Sequence, residues 1–135
     1  MARARELGPI VQVGIRSMDA SESTGLDPRR VFYAERLQSR RGRARQIVRR
    51  LSRRVYLTVD LDVFDPSIIP STGTPEPGGL GWYQVLELIR LVCRRRELVG
   101  FDVVELAPGE VRAPDFLAAK LVYKLLAYRF RGEKI

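Results

Sequence analysis

Residues 55–80 read VYLTVDLDVFDPSIIPSTGTPEPGGL. The apolar run Val55–Val59, rich in β-branched and aromatic residues, reads as a buried strand. It ends in Asp60–Leu61–Asp62. Continued as a strand, these alternate, so Asp60 and Asp62 share one face while Val59, Leu61 and Val63 share the other. Their carboxylates then stand roughly 6–7 Å apart, twice the rise per residue. Two acids so close repel unless a positive charge lies between them. A divalent cation bound through oxygen is the natural occupant, and a pair of strand-end capping carboxylates is the plainer alternative. Asp65–Pro66 ends the strand. The loop that follows carries too many Gly and Pro residues for helix or sheet. A polar loop directly after a strand is where α/β proteins place their chemistry.

Working outward, Ile10–Ile15 (IVQVGI) reads as a strand, followed by a polar loop from Arg16 to Glu22. Met1–Gly8 reads as a frayed basic start. Asp27–Pro28 suits a turn or a helix start. From Val31 to Arg54, apolar residues recur at roughly helical spacing, with a break at Gly42. Within it the basic segment Arg40–Arg54 has two readings. Ala44, Ile47, Val48 and Leu51 make an i, i+3, i+4, i+7 stripe, which puts the arginines on a solvated face. The alternative is a surface for an acidic or nucleic-acid partner, against which stands the lack of interleaved aromatic residues. Trp82–Arg96 carries a helical stripe of Trp82, Val85, Leu86, Ile89, Val92 and Cys93. Leu98–Leu106 reads as a strand apolar at nearly every position, hence central and covered on both faces, with Glu105 at its C-terminal end. Pro114 and Asp115 open a last helix with Leu117, Leu121, Val122, Leu125 and Leu126 as its apolar face, and the tail RGEKI is polar.

The resulting order β-α-β-α-β-α predicts an α/β fold, a parallel sheet between two helical layers, in a single domain spanning 1–135. The chain has 135 residues, 45% of them hydrophobic, as expected of one globular core. No apolar run approaches the length of a membrane span. One cysteine, Cys93, reads as a buried thiol and agrees with a cytoplasmic location. The net charge is +8, and only three of the 24 basic residues are lysine. There is no histidine. Any metal site must therefore be built from carboxylates, carbonyls and water, or be completed by another chain.

The sequence DLDVFDPSIIPSTGTPEPGG resembles the signature of the ureohydrolases, the arginase/agmatinase family. Its TPEPGG form is closest to agmatinase-like members, and Ser71 stands where many of these carry Gly. The resemblance implies a three-layer arginase-like α-β-α fold, present here as its C-terminal half. It implies Mn²⁺-dependent hydrolysis of a guanidino C–N bond with release of urea, a step of polyamine metabolism in the agmatinases. By motif, Asp60 and Asp62 correspond to ligands of the binuclear Mn²⁺ site. Asp60 and Glu105 correspond to catalytic carboxylates, Glu105 pairing with the guanidinium. Thr74 would sit against the substrate, and Asp19 and Glu22 would reach its far end, unless their segment is an ordinary solvated loop. Asp65 would fix the turn before Pro66. The family's G-G-D-H and D-A-H-x-D motifs are absent, so only two of the metal ligands are present. The expectation is an agmatinase-like fragment or subunit that does not catalyse the reaction alone. Its partners would be a guanidino substrate and either further copies of itself or a complementing chain. The alternative is a non-catalytic module binding through Arg40–Arg54.

Overall fold

The computed structural model describes residues 2–21, 23–38 and 43–130. Glu22, the start of the Arg40–Arg54 segment and the polar tail lie outside the described residues.

The chain starts with a short helix, α1 (Ala2–Leu7), where the sequence suggested a frayed end. Its residues are good helix formers, and Arg3 and Glu6 pair across one turn at 3.0 Å. Strand β1 is Gln12–Ile15. A strand absent from the expected order follows, β2 (Val31–Tyr33), paired parallel to β1. Here the helical reading fails for 31–33 and holds from Ala34. The Asp27 carboxylate accepts from the Arg29 amide at 3.0 Å and turns the chain. The Gln12 amide then donates to Arg30 O at 2.8 Å and zips the new strand onto β1. Helices α2 (Ala34–Gln38) and α3 (Arg43–Arg50) come next, with Ile47 and Val48 buried on α3 and Arg49 and Arg50 exposed, as the amphipathic stripe predicts.

Strand β3 (Arg54–Asp60) pairs parallel with β4 (Glu97–Val104), and helix α4 (Trp82–Arg95) connects them. Helix α5 (Ala113–Phe130) closes the described chain. Among the described residues the order is thus α-β-β-α-α-β-α-β-α, and the four strands form two separate parallel pairs. The α/β class with parallel strands holds; the β-α-β-α-β-α order does not.

One face of the β3–β4 pair is covered. Val55, Val59 and Leu98 are buried there, α4 and α5 pack on β4 and on each other, and Leu61, Phe64, Leu121 and Leu125 form the centre of the core. The other face is open. Tyr56 lies across Gly100, where a Cβ would meet its ring at 2.8 Å, and its hydroxyl donates to Asp102 at 3.0 Å. Tyr56 is 61% exposed and Val99 48%. The expectation of a strand covered on both faces is therefore not met for β4 among the described residues.

Charge is graded along the strands, with Glu97 among the arginines at one edge and Arg16 beside the carboxylates at the other. Arg49 and Arg50 end α3, Arg54 begins β3, and Arg94 and Arg95 end α4, all toward the N-terminal edge of the strands. Asp60 ends β3, with Asp62 just past it, and Glu105 directly follows β4 at the opposite edge.

Candidate functional site

Strand β3 ends at Asp60, and the next three residues form a 3-10 turn, Leu61–Val63. Asp62 therefore stands on a turn and not on a continued strand, which corrects the alternation argument. The two aspartates still come together, by a local route. Asp60 caps the turn, its Oδ1 accepting from the Asp62 amide at 2.9 Å. Leu61, between them, is fully buried and anchors the turn in the core.

The long loop folds back over this turn because Asp65 pins both its ends. The Asp65 carboxylate accepts from the amides of Ser67 (3.0 Å), Gly78 (3.0 Å) and Gly79 (3.2 Å) and from the Ser67 hydroxyl (2.6 Å). Leu80 completes the closure, donating to Val63 O at 2.8 Å and accepting from the Asp65 amide at 3.1 Å. Gly79 must lack a side chain, since a Cβ there would collide with the Phe64–Asp65 backbone. The fold-back carries Thr74 to Asp62, where its hydroxyl donates to Oδ2 at 2.8 Å. The other oxygen of Asp62, Oδ1, is buried and has no hydrogen-bond partner.

A cleft of about 250 Å³ opens beside these residues, lined by Gly14 and Arg16 from the β1 side and by Asp60, Asp62, Thr74 and Glu76. Partial burial raises the Asp60 carboxyl above its ordinary value, and the charges of Asp62 and Glu105 add to the rise; the Asp62 amide and Arg16 oppose it. Glu105 is the one non-glycine residue with positive φ (66°) among the described residues. Its Oε2 lies 3.9 Å from the place of a Cβ on Gly73, at the loop that carries Thr74. A left-handed glutamate at a strand end is a local cost of the kind found at functional sites.

Asp19 is not brought to the cleft. It sits in the exposed loop, where its Oδ1 accepts from the Ser21 amide (2.8 Å) and hydroxyl (2.5 Å), and these bonds lower its pKa. Gly14, Arg16 and Glu76 are among the cleft residues that escaped the sequence reading. Gly14 lies in β1 and Arg16 just after it, and both meet the Asp62 turn only through tertiary packing, which no local pattern encodes.

An unpartnered, buried carboxylate oxygen beside a second carboxylate suits a hard or borderline divalent cation. Among the described residues, however, no group of three or more His, Cys, Asp or Glu side chains is placed to hold a metal. The donor set fits part of a coordination shell.

Parallel strands, a glycine-rich loop folded over the end of one of them, and carboxylates collected at that edge define an α/β protein with an acid-lined site at the C-terminal ends of its strands. A model described as the Arginase family matches residues 2–127, and the chain belongs to that family of ureohydrolases. It is 42% identical over 124 residues to an N(1)-aminopropylagmatine ureohydrolase of Thermus thermophilus, covering 90% of this chain and 42% of that protein. It is 37% identical over 86 residues to an agmatinase of Pyrococcus horikoshii, covering 63% of this chain and 30% of that protein. Among solved structures, the agmatine ureohydrolase of Thermoplasma volcanium superposes with a TM-score of 0.82 at 35% identity, over 98% of this chain and 48% of that one. The chain thus spans about two-fifths of the length of the Thermus relative, at 42%. No helix among the described residues is long and apolar enough to cross a membrane.

Proposed function

We propose that this chain supplies the C-terminal half of an agmatinase-like ureohydrolase site and does not hydrolyse substrate by itself. The observation that carries this reading is the Asp60–Asp62 pair, with Asp62 Oδ1 buried and unpartnered while Thr74 fixes Oδ2. Asp60 and Asp62 would hold Mn²⁺, which when bound acidifies a water and polarises the guanidino group. Histidine is absent from the sequence, so the remaining ligands come from elsewhere. Each of this chain's residues has its own task. Asp60 holds the turn as its cap through Oδ1, and its second oxygen would serve the metal. Glu105 pairs with the guanidinium through two parallel hydrogen bonds and orients its carbon toward the metal side. Thr74 limits the depth to which the substrate enters. Asp19 stands apart from the cleft, so a contact with the far end of a substrate requires its loop to move; Glu22 is assigned to the same loop by sequence alone.

The substrate class we infer is a linear guanidino amine, as in the names of the agmatine and aminopropylagmatine ureohydrolases that the chain is similar to. That chemistry belongs to cytoplasmic polyamine metabolism. The partners are further copies of the chain or a complementing chain, and only a chain carrying the family's other ligands completes the site, since a copy brings no histidine.

Calorimetric titration with Mn²⁺, compared with the Asp60→Ala/Asp62→Ala variant, followed by assay of urea from agmatine, tests the reading. We expect binding that the double substitution abolishes, no urea from the chain alone, and urea when the missing ligands are co-expressed as a second chain. Binding indifferent to the two aspartates would remove them as ligands. Urea release by the chain alone would overturn the half-site.

A further inference from the structure

Arg16 follows β1, 46 residues before Asp62 in sequence, yet its guanidinium joins the two. One terminal nitrogen donates to Gly14 O at 3.2 Å and the other donates to the backbone carbonyl of Asp62. The side chain is part-buried and lines the cleft. Its Nε is buried without an acceptor, a cost that a residue serving only to fill space would not carry. The approach of the two elements is close. Gly14 is buried with φ +82°, and a Cβ there would lie 2.7 Å from Val63 Cγ2, inside contact distance of the 3-10 turn. Gly14 lets the turn come near, and Arg16 holds it there.

We propose that Arg16 is a positioning residue that fixes the 3-10 turn Leu61–Val63, and through the Asp62 backbone sets how the Asp60 and Asp62 carboxylates stand to each other. The proposal rests on the reading of these two aspartates as a ligand pair. The turn is short, and its internal hydrogen bonds are the Asp60 cap and Phe64 N–H to Leu61 O at 3.2 Å. A bond at 3.2 Å in a single 3-10 turn is weak support for a site that must resist the repulsion of two carboxylates. The Asp62 carbonyl bond adds a tether from outside the turn, and the Arg16 charge near Asp60 works in the same direction. Only arginine serves here, because two carbonyls must be met at once by a planar fork; lysine offers a single ammonium on a flexible stem. Outer groups that orient metal ligands are worth 10- to 100-fold in metal affinity.

Hydrogen exchange on the full chain without metal tests the tether, with Arg16→Lys and Arg16→Met. We expect the Asp62 and Phe64 amides to exchange about tenfold faster in both variants, while the β3 amides of Leu57 and Val59 keep their native rates. Unchanged protection at 62 and 64, or an equal loss of protection throughout the chain, would overturn the proposal. Mn²⁺ titration of the same proteins tests the consequence. A drop of about 10-fold or more in affinity for both variants supports it. Equal affinity of native and Arg16→Lys chains overturns the positioning role and leaves the aspartates as ligands. A native chain that binds no Mn²⁺ overturns the ligand reading, and with it the metal consequence, whereas the exchange result still decides whether the tether exists.

Discussion

The Asp65 carboxylate accepts four hydrogen bonds, from the Ser67 amide and hydroxyl and from the amides of Gly78 and Gly79. Donation by Ser67, first its hydroxyl and then its amide, holds the Asp65 carboxyl below its ordinary value, with smaller help from the two glycines. A carboxyl whose folded pKa is depressed stabilises the fold when ionised. The contribution is complete above the unfolded value near 4 and is lost as pH falls through the lower, folded value. Asp65→Asn should therefore lower the melting midpoint at pH 7, and the gap between native and variant should narrow as pH drops from about 5 to 2. Melting curves followed by circular dichroism at several pH values check this; a constant gap would remove ionised Asp65 as the pin. At this scale the sequence was informative where chemistry is local. Asp65–Pro66 announced a turn, and Asp60 with Asp62 announced a pair. Arg16 was invisible, because its partner lies on another element.

Helix α5 has two sides of different consequence. Leu121 and Leu125 are fully buried and meet the core, while Phe116 is 76% exposed, Tyr123 62% and Phe130 74%. Leu125→Ala should cost about 2–5 kcal/mol by emptying a packed site. Phe116→Ser should change stability by less than about 0.5 kcal/mol. Urea unfolding of both variants checks the pair, and a large effect of Phe116→Ser would mean that this side is covered. The stripe that foretold α4 was legible because its buried residues recur at 3.6-residue spacing over about two turns: Val85, Leu86, Ile89 and Val92 are all buried. Strand β2 was not legible. Three residues are too few to show a period of two, and Val31, Phe32, Ala34 and Leu37 happen to fit a helix as well. What makes β2 a strand is the Asp27 turn and the waiting edge of β1, both outside the window that periodicity reads. The reading of 98–106 erred differently. An apolar strand is consistent with burial on both faces, but the cover has to be present to bury it, and Tyr56 and Val99 show that on one side it is not.

At the scale of the molecule, two separate parallel pairs among the described residues leave unpaired strand edges beside an open sheet face and an exposed aromatic side of α5. Parallel sheets are stable when both faces are covered, and free edges invite pairing with another chain. Sedimentation velocity should accordingly show association of the isolated chain that rises with concentration; a single monomer boundary over a hundredfold concentration range would mean that these surfaces are tolerated in water. Membership of the family was legible, because the 55–80 loop is contiguous. The separation of the strands into two pairs was not, since nothing in either pair names its neighbour.

The excess of arginines at one edge of the strands and the gathering of Asp60, Asp62 and Glu105 at the other bear on how a cation would approach. A protein of net charge +8 should repel a guanidino cation. Strand β3 has seven residues, so its two ends lie roughly 20 Å apart. That is more than twice the distance, about 8 Å, over which ions in the cell screen a charge. A diffusing cation therefore responds to the edge that it faces and not to the sum. A guanidino cation of the class proposed above would then be repelled by the arginine-rich edge and attracted at the edge that carries Asp60 and Asp62.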